Sequence, residues 1–173
     1  MEFDDLVDPR RPYAHEIVEL KNRQEYQDAA LGREAFPLWL RELFSDFSLF
    51  RPRRDGPERE HVLAFLNHLE TLTHGTPGPD DLKTAPQLND WCAIHDFDTV
   101  ILIGIVTGHP NIRDGGRART SLLLQIQPDL GWARTWNRYY RLGAHSRMTF
   151  FEWQYEGKIS PRMQIVEFDA MDR

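Results

Sequence analysis

Apolar residues recur at three- and four-residue steps in the first half of the chain and at two-residue steps in the second, which divides it into a helical part and a sheet. Val62, Phe65, Leu66, Leu69 and Leu72 form one helical stripe, opened by Gly56-Pro57 with Glu58 and Glu60 in the first turn, and stopped by Gly75. Upstream, PLWLRELFSDFSLF starts at Pro37 and predicts a second helix, largely buried through Leu40, Leu43, Phe44 and Phe47, that ends at Arg51-Pro52. A more weakly amphipathic helix is expected from Tyr13 to about Ala30, around Ile17 and Leu20.

In the second half, Val100–Val106 is apolar at both parities and broken only by Gly104, as expected of a central strand covered on both faces. Thr120, Leu122, Leu124 and Ile126 alternate with Ser121, Leu123, Gln125 and Gln127, predicting a strand with one mostly apolar and one mostly polar face. Asp114-Gly115-Gly116 supplies a hairpin tip between the two, and Gln127-Pro128-Asp129-Leu130-Gly131 the next reversal. Trp132–Leu142 then reads as a third strand, Thr149–Tyr155 as a fourth, and Met163–Phe168 as a last strand made an edge by Pro161. With a short strand at Trp91–His95, six strands result. The expected class is α+β, about three N-terminal helices packed on a C-terminal antiparallel β-meander or small β-barrel. The expected boundaries are a flexible acidic arm at 1–12, helices at 13–74, a linker at 75–87 around HGTPGPDD, and a β domain at 88–173 that folds as one unit with the helices.

Composition narrows the possible roles. With 173 residues and 40% hydrophobic content the chain can bury one good core. No stretch approaches the ~18 apolar residues of a membrane span, and the acidic start MEFDDLVDPRRP lacks a signal-peptide layout, so a cytoplasmic protein is expected. The single Cys92 excludes an internal disulfide and reads as a small buried residue. The net charge of −6 is unevenly placed: Ile101–Phe150 holds seven arginines against two acidic residues. Arginine is the side chain suited to bidentate contact with carboxylate or phosphate.

The third strand concentrates that chemistry. Counted by two, Trp132, Arg134, Trp136, Arg138 and Tyr140 share one face, a platform on which guanidinium and aromatic groups alternate. The competing view is a local ladder whose side-chain stems cover apolar surface. Arg113, Arg117 and Arg119 extend the expected binding surface. A second candidate is the hairpin tip, where His109 and Asp114 would form an active site if a nucleophile lay in reach, against the simpler view that both serve the turn. The seven histidines show no metal-ligand spacing, and there is no P-loop or dinucleotide fingerprint, so neither metal nor cofactor is expected.

Gly108-His109-Pro110, Asp114-Gly115, Thr120-Ser121, Gly131-Trp132-Ala133-Arg134-Thr135 and Arg138-Tyr139-Tyr140-Arg141-Leu142-Gly143 follow one another in an order that resembles a group of small uncharacterised bacterial proteins with a GHP…DG…TS…GWART…YRLG pattern, over about residues 91–143. The resemblance implies a discrete C-terminal domain and no particular activity. The expected function is that of a non-catalytic binding or regulatory protein whose Arg–aromatic face engages an anionic macromolecule, an acidic protein surface ahead of nucleic acid. An inhibitor of a nucleic-acid-binding protein, of the mobile-element counter-defence type, is one form of that role by analogy. A nucleic-acid-binding small barrel and a small enzyme at His109 and Asp114 are the alternatives.

Overall fold

In a computed structural model, residues 8–25, 33–46 and 59–168 are described, and the chain divides into two compact units, 13–74 and 1–12 with 75–173. The first is helical: α1 (Ala14–Glu25), α2 (Leu38–Asp46) and α3 (Arg59–His74). The α3 stripe is Val62, Phe65, Leu66, Leu69 and Thr73, all buried, and Thr73 donates its hydroxyl to the Leu69 carbonyl. Ile17 and Leu20 of α1 are buried as well, and the Lys21 ammonium pairs with Glu70 of α3. The Tyr13 ring meets Trp39 of α2 at a tilt, 4.5 Å between ring centroids, and the Trp39 indole donates to Glu16 at 2.8 Å. Leu40 and Leu43 are buried as expected. The Phe44 side chain, Phe47 and the Gly56-Pro57 start lie outside the described residues.

The second unit contains α4 (Pro79–Thr84), β1 (Gln87–Asp96), β2 (Thr99–Thr107), β3 (Gly116–Arg119), β4 (Leu123–Gln127), β5 (Trp132–Thr135), β6 (Tyr139–Leu142), α5 (Arg147–Tyr155) and β7 (Gln164–Val166). The class is α+β, and the seven-stranded sheet is mostly antiparallel and not closed. Its order is β3-β2-β1-β6-β5-β4. The hub is β1 rather than β2: one edge of β1 pairs with β2, while β6 (parallel, at Gln87 and Leu88) and β7 (antiparallel, at Ala93–His95) also pair with it. A bulge between Asn89 and Cys92, with Asp90 at φ 48°, lies between those two pairings. Gly104 sits opposite the bulge because a Cβ there would lie 2.7 Å from the Asn89 carbonyl oxygen. That close approach explains the one break in the apolar run of β2.

Both faces of β1 and β2 are covered. On one, Cys92, Ile94 and Ile103 pack with Phe150, Trp153 and Ile159, with Ile101 and Ile165 alongside. On the other, Leu88, Ala93, Leu102, Val106 and Ala118 are all buried. The sheet is strongly curled, because β3 and β4 stand at opposite ends of its order yet only Thr120–Leu122 separates them, a path of at most about 14 Å from Arg119 to Leu123. Thr120 completes hydrogen bonds to Leu102 through its N–H and its hydroxyl, both at 2.9 Å. Two residues later the Leu122 carbonyl accepts from Trp136 N–H at 2.8 Å.

Several expectations require correction. The stretch Thr120–Gln127 is not one strand, since the chain changes edges at Ser121; nor does β4 have a polar face, for Leu123 and Gln125 are buried with Leu124 and Ile126. Trp132–Leu142 is a hairpin, not a strand: Thr135 N–H donates to the Arg138 carbonyl at 2.9 Å, and Asn137 N–H donates to Ser121 Oγ at 3.0 Å. Thr149–Tyr155 is helical, since Thr149, Phe150 and Trp153 bury at helical spacing and leave Phe151 and Tyr155 exposed. Finally, the segment expected to be an irregular linker contains α4, where Pro79 takes the first helical position and Asp81 accepts from Gly78 N–H at 2.7 Å. Asp8–Pro12, the end of the expected arm, are pinned to the sheet: Ile126 N–H donates to the Arg10 carbonyl, and Arg10 pairs with Asp129 at 3.0 Å.

Candidate functional site

Three segments far apart in sequence meet at one cleft of about 400 Å³. One is the end of α4 with its exit, Asp81, Thr84, Ala85 and Pro86; another is the β2–β3 loop at Gly108 and Pro110; the last is the β5–β6 hairpin through Arg134, Asn137, Arg138 and Tyr139. The parallel pairing of β6 with the start of β1 brings them together, and Arg141 strengthens it by donating Nε to the Ala85 carbonyl at 3.2 Å.

The hairpin determines how its arginines are presented. Arg134 and Tyr139 are directly opposite across β5 and β6, so the guanidinium lies over the phenol ring at 4.8 Å. Ala133 pairs with Tyr140, which places Tyr140 on the face opposite Arg134. The alternating one-face order expected for Trp132, Arg134, Trp136, Arg138 and Tyr140 is therefore absent, because the reversal at Trp136–Arg138 intervenes. Trp132, Trp136 and Tyr140 are buried, and Trp132 meets the Tyr139 ring edge-on at 5.9 Å. The stacking partner of Arg134 is Tyr139, a residue that the period-two count assigned to the other face.

Arg134 is partly desolvated. Burial lowers its pKa, with the charges of Tyr139 and Asp81 acting in the opposite sense, and the guanidinium stays protonated. Burial also raises the pKa of Tyr139, while the Arg134 charge lowers it. The Arg134 terminal amine is 3.5 Å from the Trp136 carbonyl, but its buried Nε has no hydrogen-bond partner among the described residues. Arg138 lies close enough for its charge to act on His109 and Tyr140. Among the described residues neither Arg134 nor Arg138 forms an ion pair with a carboxylate.

The other expected binding residues lie elsewhere. Arg117 sits on the α5 side of the sheet, 5.4 Å above the Trp153 ring, and pairs with both oxygens of Glu156 at 2.5 and 3.0 Å. By strand alternation Arg119 shares that side, exposed, and Arg113 is exposed in the β2–β3 loop. His109 and Asp114 occupy the same loop without bonding to each other. Asp114 accepts from Gly108 N–H at 2.8 Å, and His109 Nδ1 accepts from Asn111 N–H at 3.0 Å, so both close the loop. Burial, then the Arg138 charge, lowers the His109 pKa, leaving a neutral ring at pH 7 with its proton on Nε2. That ring stacks on Tyr140 at 6.4 Å. The Ser121 hydroxyl donates to Thr135 Oγ1 at 3.1 Å and accepts from Asn137 N–H, which makes it part of the hairpin turn. Among the described residues no three His, Cys, Asp or Glu side chains gather as a metal site would require. None of the described helices is long and apolar enough to cross a membrane.

Sequence reasoning found two of the cleft residues, Arg134 and Arg138, and missed Asp81, Thr84, Asn137 and Tyr139. Pro79 followed by Asp80 and Asp81 was the available signal for the start of α4, and nothing local tied it to the hairpin.

Fold and cleft together define a small α+β protein with a cleft lined by two arginines, a tyrosine and one carboxylate, Asp81. Residues 62–153, more than half of the chain, match the model of a family of unknown function (DUF6634), and the chain belongs to that family. No curated protein and no solved structure matches it.

Proposed function

We propose that the protein is a non-catalytic binding module that holds an anionic group of a partner in the cleft between α4 and the β5–β6 hairpin. The observation that carries this reading is the pair Arg134 and Arg138 lining one cleft, neither of them paired with a carboxylate among the described residues. A charge-assisted hydrogen bond from a guanidinium to an incoming anion is worth roughly 1.5–3 kcal/mol. Stacking on Tyr139 holds the guanidinium plane in place before the ligand arrives. A regulatory role through an acidic protein partner fits better than one through nucleic acid, since the net charge is −6 and Asp81 stands in the cleft wall.

The test is titration of an eight-residue glutamate peptide and a single-stranded DNA oligomer, at low and moderate salt, into wild type and Arg134→Gln/Arg138→Gln. We expect the peptide to bind wild type and to lose about tenfold or more in affinity in the folded double variant, two charge-assisted bonds being worth well over 1.4 kcal/mol. The DNA should bind more weakly than the peptide at both salts. Equal peptide binding by wild type and a folded double variant overturns the reading. Tighter DNA binding, with the log–log salt slope reduced by about 1.4 in the double variant, would make nucleic acid the partner instead.

A further inference from the structure

The cleft is bipolar, lined by a carboxylate as well as by two guanidinium groups. Arg134 and Arg138 come from the β5–β6 hairpin, whereas Asp81 comes from α4 on another wall of the same cavity. Its carboxylate is near enough for its charge to act on both Arg134 and Tyr139. Asp81 is nevertheless not their ion-pair partner. One of its oxygens, Oδ2, accepts from Gly78 N–H at 2.7 Å and caps α4, which fixes the carboxylate in place and leaves Oδ1 to accept from a ligand. A cavity of about 400 Å³ lies at the small end of ligand sites and suits a compact group rather than a strand of polyanion. A string of phosphates would also have to pass the Asp81 charge.

Resting on the proposed anion-binding role, we infer that the cleft is built for a carboxylate with a hydrogen-bond donor beside it, as at the free C-terminus of a peptide or in an α-amino acid. The carboxylate meets the Arg134 and Arg138 guanidinium groups. The adjacent amide N–H or ammonium donates to Asp81 Oδ1, and the Tyr139 ring borders the group between them. Asp81 thus determines specificity: it rewards a donor beside the bound carboxylate and disfavours an anion without one.

The experiment follows backbone N–H and arginine Nε–H signals by NMR during titration with five probes, which detects binding even at millimolar affinity. The probes are N-acetylalanine (a peptide C-terminus), free alanine (an amino acid), N-acetylproline (a carboxylate with no adjacent donor), N-acetylalanine amide (no anion) and inorganic phosphate. We expect N-acetylalanine to shift Arg134 and Arg138 and to bind at least fivefold tighter than N-acetylproline, with the amide silent and phosphate weaker. Tighter binding of free alanine than of N-acetylalanine would assign the site to an amino acid, and the reverse to a peptide terminus. In Asp81→Asn, whose side-chain oxygen still caps Gly78, the preference over N-acetylproline should fall to near onefold and phosphate should gain affinity.

Failure has two distinct forms. If the carboxylates and phosphate bind alike, in wild type as in Asp81→Asn, the inference about Asp81 is lost while the anion cleft stands. If no probe moves Arg134 or Arg138, the cleft reading itself is lost.

Discussion

Arg117 and Arg134 each lie over an aromatic ring, at 5.4 Å from Trp153 and 4.8 Å from Tyr139, yet their surroundings give them opposite roles. Arg117 has its charge answered within the chain by both oxygens of Glu156, and together they cover the indole that closes the core under α5. Arg134 has a ring, one distant carbonyl and no carboxylate. The lesson is that an arginine beside an aromatic side chain says little until its acid is accounted for. Where the chain supplies the acid the pair is structural, and where it does not the guanidinium is left to an outside anion.

The sharpest break in this comparison comes from removing the ring that belongs to the core. Trp153 is buried among Cys92, Ile94 and Ile103, so Trp153→Ala should cost about 3–5 kcal/mol in urea unfolding. A loss below about 1 kcal/mol would mean that α5 contributes little to the sheet. Tyr139→Leu removes the other ring and keeps apolar contact with the hairpin. It should cost only about 0.5–1 kcal/mol of stability, the usual worth of an exposed cation–π pair, while weakening glutamate-peptide binding severalfold. Unchanged binding in that variant would show that stacking does not prepare Arg134.

Arg117→Gln should give the smallest effect, a slight loss of thermal stability that shrinks further in high salt, with peptide binding unaltered. Its signature is in pH. Hydrogen bonding to Arg117 holds the Glu156 pKa below the ordinary glutamate value, so the pair's contribution is complete above that value and disappears as pH falls through the lowered one. The difference between wild type and Arg117→Gln should therefore vanish on acidification, and a difference that grew instead would assign the effect to something other than this pair.

What could be read from the sequence was local. The α3 stripe, the apolar run of β2 and the Pro128–Gly131 reversal each carry their reason within a few residues, and the structure has each of them. The β5–β6 turn carries no Gly or Pro. It is held by Thr135 and by Ser121, fourteen residues apart, so one long strand was the natural reading. In α5 the buried Thr149 and Trp153 also satisfy a period of two, and over so short a segment the two periods coincide at every fourth residue. Of the cleft, Arg134 and Arg138 were legible through composition. Tyr139 meets Arg134 through the hairpin register, and Asp81 joins them only because β6 runs parallel to β1, a pairing that no pattern along the chain announces.

The chain's one thiol sits in the hub strand, fully enclosed, with its pKa pushed up to about 12 by burial. Only thiolate reacts with alkylating reagents, so at neutral pH Cys92 is protected twice, by enclosure and by protonation. Each labelling event must wait for β1 and α5 to part. The rate of alkylation under native conditions thus becomes an internal clock of that opening, read at a single atom without adding a probe.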